Sequence, residues 1–335
     1  MLGDQPTSVP AAEHFDAMLR QVEAGQRNGF TYIGLGQHFL YGGYRWLQPV
    51  PVLARLAADT SPETRLVTAV IVAPLYHPVM LAEELATLDV VTEGRLIVGL
   101  GAGYRVAEFE SLGVPFAERG SRLEESIQLM TQLWSRDRVD FNGRHWSLAA
   151  AAPHVQPLQK PRPPLWIGAH SAPGIRRAAR IGDAWPISPR LPHAEIEVRL
   201  RTFFEARREA GLPMGRQPLR REVTIGRDRD DALRRFRSMA QDRYLGYADQ
   251  GLATVSADAI AADFEATAMG HAILGSPAEC IEQLEALVAE FPVDPIIIRA
   301  HWPGMSADDA VAIIDEIGRD LIPVLRDVEP SLPPI

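Results

Sequence analysis

Short apolar runs rich in β-branched residues alternate with helical periods along most of the chain, and this alternation constrains the fold more than any single motif. Arg65–Val72 (RLVTAVIV) is the most strand-like run. Behind it, Val79–Thr92 carries Leu81, Leu85, Leu88 and Val91 as one helical stripe. Further strand runs fall at Phe30–Gly36, Leu96–Val98, Leu165–Gly168, Asp183–Ile187, Arg221–Ile225 and Pro295–Ala300, almost all followed by helical segments. Strands joined through helices run parallel, with right-handed crossovers. These seven strands and one more at the front make eight. The expectation is therefore an α/β chain folded as a (β/α)8 TIM barrel, a single domain over residues 1–335, with its chemistry at the C-terminal ends of the strands. A doubly wound open sheet is the alternative topology. Two stretches read as excursions. Residues 137–164 hold FNGRHWSL, a hairpin turning at Asn142-Gly143, and end in a proline-rich run. Residues 244–275 are alanine-rich and weakly patterned.

The front strand is the missing piece. Met1–Pro10 is polar, and its Pro6 and Pro10 lack the backbone donors of a central strand; Ala11–Asn28 reads as a helix. Seven strands leave two unpaired edges, Phe30–Gly36 and Pro295–Ala300. The expectation is that the first strand is missing from this chain, and that the natural protein begins upstream of Met1 with a strand of roughly 5–6 residues.

The strand at Leu96 runs into Gly99, Gly101 and Gly103. Side chains alternate faces along a strand, so three glycines at alternate positions strip the bulk from one side. A flat group fits there, and so does a glycine-loosened bend serving closure alone. A dinucleotide fingerprint fits less well, because Val106 stands where its last glycine belongs.

Other chemistry is excluded by what the strand ends lack. They carry no paired carboxylates for glycosidic cleavage, no H-E-x-x-H or compact metal cluster, and no G-x-S-x-G elbow. A net charge of −9 argues against nucleic acid or an anionic membrane as partner. The single cysteine, Cys280, rules out an internal disulfide and reads as helix packing. No signal-like or spanning apolar stretch occurs, which points to the cytoplasm. The chemistry must come from something bound. Gly168-Ala169-His170-Ser171-Ala172-Pro173-Gly174 follows a strand and opens a helix, so its free amides, the helix dipole and the Ser171 hydroxyl form an anion site for a phosphate, with Arg176 and Arg177 one turn on. Helix capping alone also explains Ser171. His38, just after a buried strand, is the candidate catalytic acid or base. His77 orders the turn before its helix, and Trp302, after the last strand, is a candidate wall of the substrate pocket.

The stretch EGRLIVGLGAGYRVAEFESLG with the GVPF that closes it, taken with the order of the other motifs from about Gly25 to Pro323, resembles the luciferase-like flavin-dependent oxidoreductases. The resemblance implies that Gly101, Ala102, Gly103 and Tyr104 pass beneath an isoalloxazine ring. It also implies that Gly168, Ala169, His170, Ser171 and Gly174 hold the flavin phosphate. The family's non-prolyl cis peptide under the flavin falls near Val70-Ile71. Luciferases proper carry an arginine where this chain has Ala102, which leaves room for the deazaflavin coenzyme F-420 beside FMN. Implied with it first is a monooxygenase using reduced FMN from a separate flavin reductase and O2 on a small organic substrate, with an F-420-dependent hydride transfer as the alternative. A homodimer through the Val79–Thr92 helix is implied too, argued on Met80, Leu81, Leu85 and Leu88. A flavin-binding barrel without turnover and a hydrolytic barrel are the readings of other classes.

Overall fold

The computed structural model describes residues 1–249, 263–326, 328–329 and 331–332. Residues 250–262 of the 244–275 excursion lie outside them. The fold is α/β, and its main sheets are parallel. The chain divides into two compact units: Tyr32–Gly42 with Trp46–Trp185, and Met1–Thr31 with Gly43–Arg45 and Pro186–Ile335. Among the described residues no helix is long and apolar enough to cross a membrane.

In the unit around Trp46–Trp185, the strands Tyr32–Leu35, Arg65–Thr68, Leu96–Gly101 and Leu165–Gly168 pair side by side, all parallel. The short Ile71–Val72 strand also pairs with Leu96–Gly101, opposite Leu100 and Gly101. Parallel pairing brings all the C-terminal ends to one edge. That edge holds Gly36, Ala69, Gly101 and Gly168. Below it Leu66, Val67, Leu96, Val98 and Ile167 form the apolar core. The Pro78–Val91 helix buries Leu81, Leu85 and Leu88 against it, and its exposed large apolar residues are Met80, Val90 and Val91. The three leucines expected to supply a dimer face are therefore spent inside the unit.

The predicted hairpin is present as Val139–Asn142 against Ser147–Ala151. It is fastened by Glu125, whose carboxylate accepts from the successive amides of Arg144, His145 and Trp146 at 3.0, 2.8 and 2.9 Å. Such a charge-assisted cluster is worth more than neutral bonds. Glu125→Ala is expected to cost about 1–3 kcal/mol and to speed amide exchange at those three positions first; unchanged exchange there would refute the role.

In the other unit the Gln217–Ile225 strand lies between Ile273–Gly275 and Val293–Arg299, both parallel to it. It begins four residues earlier than its β-branched run suggests. The Ile273–Gly275 strand escapes sequence detection because it is three residues long and sits in an alanine-rich stretch. The expected strand at Asp183–Ile187 is reduced to two isolated bridges, Trp166 with Ala184 and Ile187 with Leu219.

The front of the chain is packed, but among the described residues it adds no strand to the outer edge of Tyr32–Leu35 or of Val293–Arg299. The α-amino group of Met1 donates to the Ile298 carbonyl at 3.0 Å, and Gln5–Pro6 pairs antiparallel with Tyr44–Arg45. Leu2, Asp4 and Gln5 are buried. Gln5 reaches His301 Nε2 and the Met305 carbonyl, while Asp4 pairs with Arg243 at 3.0 Å. The polar residues of this stretch are thus buried against polar partners, which a hydrophobic pattern does not reveal.

Two buried histidines in this unit set an acid limit. Burial, with Arg221 beside one and Arg299 beside the other, pulls His271 and His301 from 6.5 to about 3. The unfolded chain binds these protons below pH 6.5 and the folded chain does not until near pH 3, so stability is full above 6.5 and drains as pH falls toward 3. At pH 5 the loss is about 2 kcal/mol per histidine. Urea midpoints at pH 7 and pH 5 should differ less in His301→Gln than in the parent chain; an equal difference would count against this assignment.

Candidate active site

The C-terminal edge of the Tyr32–Leu35, Arg65–Thr68, Leu96–Gly101 and Leu165–Gly168 strands gathers most of the predicted site residues. The peptide bond Ala69–Val70 is cis, one residue before the Val70-Ile71 position that the sequence indicates. Val70 is half-buried, whereas Ile71 is fully buried and belongs to the core. This removes the Ile71 side chain from the candidate cofactor contacts.

The glycines do not leave an empty slot. A Cβ on Gly99 would collide with the Thr68 carbonyl oxygen. One on Gly101 would stand 2.8 Å from Val70 Cγ2, and one on Gly168 would stand 3.4 Å from Val70 Cγ1. Gly103, at φ +80°, faces Val72 and Phe109. The space read from sequence as room for a flat ligand is taken by the chain's own Thr68 and Val70. What results is a ledge, with Val70 seated over three glycines and its remaining face available to a ring. Thr68 locks the arrangement: its hydroxyl donates to the Gly99 carbonyl at 2.9 Å and accepts from the Gly99 amide at 2.7 Å.

On the loop after the Tyr32–Leu35 strand stands His38, 13% exposed at its side chain. Its Nδ1 lies 2.8 Å from Glu108 Oε1, and its Nε2 lies 3.1 Å from the Tyr104 hydroxyl. The same Glu108 oxygen accepts from the Phe39 amide at 2.9 Å. A carboxylate only accepts, so the proton belongs on Nδ1 and Nε2 is the free base. Arg105 lies 3.5 Å from Glu108 Oε1 and donates to the Phe39 carbonyl, which fixes the loop carrying His38 to the helix carrying Glu108. Tyr41, Trp46 and Tyr104 surround the imidazole, with ring centroids at 5.0, 4.7 and 5.4 Å. Gln37, next in the chain, accepts from the Val72 amide and donates to Gln48 and Tyr76. This arrangement can hold and move a proton at Nε2.

Glu108, Tyr41 and Trp46 carry no role in the sequence reading. The available signal was the spacing: Glu108 comes one helical turn after Arg105, directly behind the glycine strand, and is 1% exposed. A carboxylate so deeply buried beside a strand end needs partners.

At the Leu165–Gly168 end, Ser171 caps the Ala172–Ile181 helix by accepting from the Gly174 amide at 3.3 Å. Ser171 and His170 are exposed, and Gly168 and Ala169 are partly exposed. Arg177 is engaged with Glu124 at 2.6 Å, so of the two arginines expected to assist an anion it is the one already paired. His77 caps its helix by accepting from the Val79 amide, the ordering role expected of it.

Trp302 requires correction. It belongs to the other unit, 3% exposed, inside an aromatic core with Phe236, Tyr244 and Phe264. Its indole is a packing element, and no described contact makes it a pocket wall. Cys280 is likewise buried, and burial pushes its thiol up to about 12.

A family model described as luciferase-like monooxygenase matches residues 1–294. The oxygenase component of a flavin-dependent trigonelline monooxygenase from Acinetobacter baylyi is 31% identical over 57% of this chain and 54% of its own length. The chain thus spans about half of that relative. An F420-dependent glucose-6-phosphate dehydrogenase from Segniliparus rotundus is 26% identical over 95% of this chain and 97% of its own. Among solved structures, the monooxygenase RslO1 from Streptomyces bottropensis superposes with a TM-score of 0.81 at 23% identity, over 95% of this chain and 97% of that one.

Proposed function

We propose, for a chain that belongs to the luciferase-like monooxygenase family, an oxidoreductase that binds F-420 or FMN at the Val70 ledge and moves a substrate proton through His38. The observation that carries this reading is the 2.8 Å bond from His38 Nδ1 to Glu108, which leaves Nε2 as the base. When bound, the deazaflavin would accept or deliver hydride. Val70, Gly101, Ala102, Gly103 and Tyr104 would lie along the ring, and Gly168, Ala169, His170, Ser171 and Gly174 would hold the phosphate. His38 Nε2 takes the hydroxyl proton of an alcohol donor, and Glu108 offsets the charge that the imidazole gains. Tyr41, Trp46 and Tyr104 limit water at Nε2. Ala102, which offers no cation to a phosphate, and the end-to-end match with an F420-dependent relative support the deazaflavin.

The second reading is a monooxygenase using reduced FMN supplied by a separate flavin reductase. The trigonelline relative, named as an oxygenase component, supports it. Titration with each cofactor decides between them: bound FMN absorbs near roughly 450 nm and F-420 near roughly 420 nm. Binding of neither would overturn both readings.

Ser171→Ala is expected to weaken cofactor binding by about 1 kcal/mol, and Gly174→Asp by more through repulsion of the phosphate. Unchanged titrations for both variants would move the phosphate elsewhere. The protein would act as one catalytic domain on a small organic molecule in the cytoplasm, as a homodimer. Exposed Met80 and Val91, eleven residues apart on one helix face, support self-association. Light scattering that finds only monomer at micromolar concentration would remove the dimer.

A further inference from the structure

We propose, on the premise that His38 is the base, that Tyr104 is the residue that meets the substrate hydroxyl and that the proton reaches His38 through the Tyr104 oxygen. Glu108, His38 and Tyr104 form one hydrogen-bonded chain, with contacts of 2.8 Å at His38 Nδ1 and 3.1 Å at His38 Nε2. Its inner end is Glu108, 1% exposed. Its outer end is Tyr104, which is partly exposed.

Protons and lone pairs along the chain fix the direction of each bond. The Glu108 carboxylate only accepts, so Nδ1 carries the imidazole proton. Nε2 then holds a single lone pair in the plane of the ring, and Tyr104 is the donor to it. An alcohol approaching His38 finds that lone pair already taken. Tyr41 and Trp46 crowd the imidazole from other sides, with ring centroids at 5.0 and 4.7 Å. The backbone that carries Tyr104 is held at both neighbours. Gly103 sits at φ +80° against Val72 and Phe109, and Arg105 donates to the Phe39 carbonyl. Direct transfer would therefore require the phenol to swing away and give up its bond to Nε2 first. A phenol oxygen that donates still accepts, so the alcohol has a partner without that loss. Two proton moves complete the step. The Tyr104 O–H bond breaks as an N–H bond forms on Nε2, and the substrate O–H bond breaks as the Tyr104 O–H bond re-forms. Tyr104 ends as it began, His38 has gained one proton and the alcohol has lost one.

NMR of the histidine ring nitrogens and the tyrosine phenol carbons, with 2-propanol as the alcohol probe, tests the relay without turnover. In the parent, His38 should carry its proton on Nδ1 and show Nε2 as a hydrogen-bond acceptor, a signature lost in Tyr104→Phe. Added 2-propanol should move the Tyr104 phenol carbon while Nε2 keeps its bonded signal. A phenol carbon that stays put, or an Nε2 signal that moves to its Tyr104→Phe position, overturns the relay; the parent titration decides this even if the variant does not fold. Oxidation of 2-propanol with F-420 adds a second readout, and where the parent shows no turnover the NMR result stands alone. Tyr104→Phe should lower kcat by about 10²-fold, the low end for a positioned acid–base group, with KM little changed. The parent rate should curve with the deuterium fraction of the solvent, as two moving protons require, and become linear in Tyr104→Phe. His38→Ala at the parent rate would remove the base itself. His38→Ala impaired with Tyr104→Phe at the parent rate would remove the relay alone.

Discussion

His38→Ala is expected to lower kcat by about 10²–10⁴-fold on any substrate the parent turns over, the range typical of a positioned acid–base group. Cofactor affinity should change little, because the imidazole touches its own loop, Tyr104 and Glu108 in the structure and is not part of the Val70 ledge. Glu108→Gln is expected to cost at least about tenfold less than His38→Ala. The amide oxygen can still accept from the Phe39 amide and from His38 Nδ1, keeping the base on Nε2, while the compensating negative charge is gone. Glu108→Ala removes the anchor as well and should approach the His38→Ala loss. The measurement is kcat and cofactor titration for the three variants side by side. A His38→Ala enzyme within threefold of the parent (about 0.7 kcal/mol in barrier) would end the proton-transfer role, whatever the cofactor.

The sequence indicates His38 as the acid–base residue because a polar residue after a buried strand stands out against its surroundings. It does not reveal Glu108, whose partners lie about seventy residues away in the chain. A contact of that separation has no local signature. The same holds at Asp4 and Gln5, satisfied by Arg243, His301 and Met305. The parallel sheet around Leu96–Gly101 was readable because every strand in it is an apolar run flanked by a helix. Ile273–Gly275 was not, being too short to show a period. Trp302 shows the limit in the other direction: an aromatic residue after a strand reads alike whether it lines a pocket or fills a core, and the neighbours Phe236, Tyr244 and Phe264 that decide it are remote in sequence.

Gly99→Ala is expected to be the most damaging glycine-to-alanine change among the described residues. The added carbon meets the carbonyl oxygen of Thr68, a backbone atom that no rotamer change can move. Thr68 is also bonded to both the amide and the carbonyl of Gly99, so separating the two strands breaks that pair of bonds. Over-packing in a closed core costs about 1–3 kcal/mol, and more where backbone must yield. The loss of two buried hydrogen bonds adds about 1 kcal/mol each. Gly101→Ala is the instructive comparison. Its nearest obstacle is the Val70 Cγ2 at 2.8 Å, the tip of a half-buried side chain that can turn away. It should cost less stability than Gly99→Ala yet weaken cofactor binding more, because it tilts the Val70 ledge proposed to carry the ring. Urea unfolding of the apoprotein and cofactor titration, run on both variants, separate the two effects. If Gly101→Ala binds cofactor as the parent does, Val70 is a packing residue and the ring lies elsewhere.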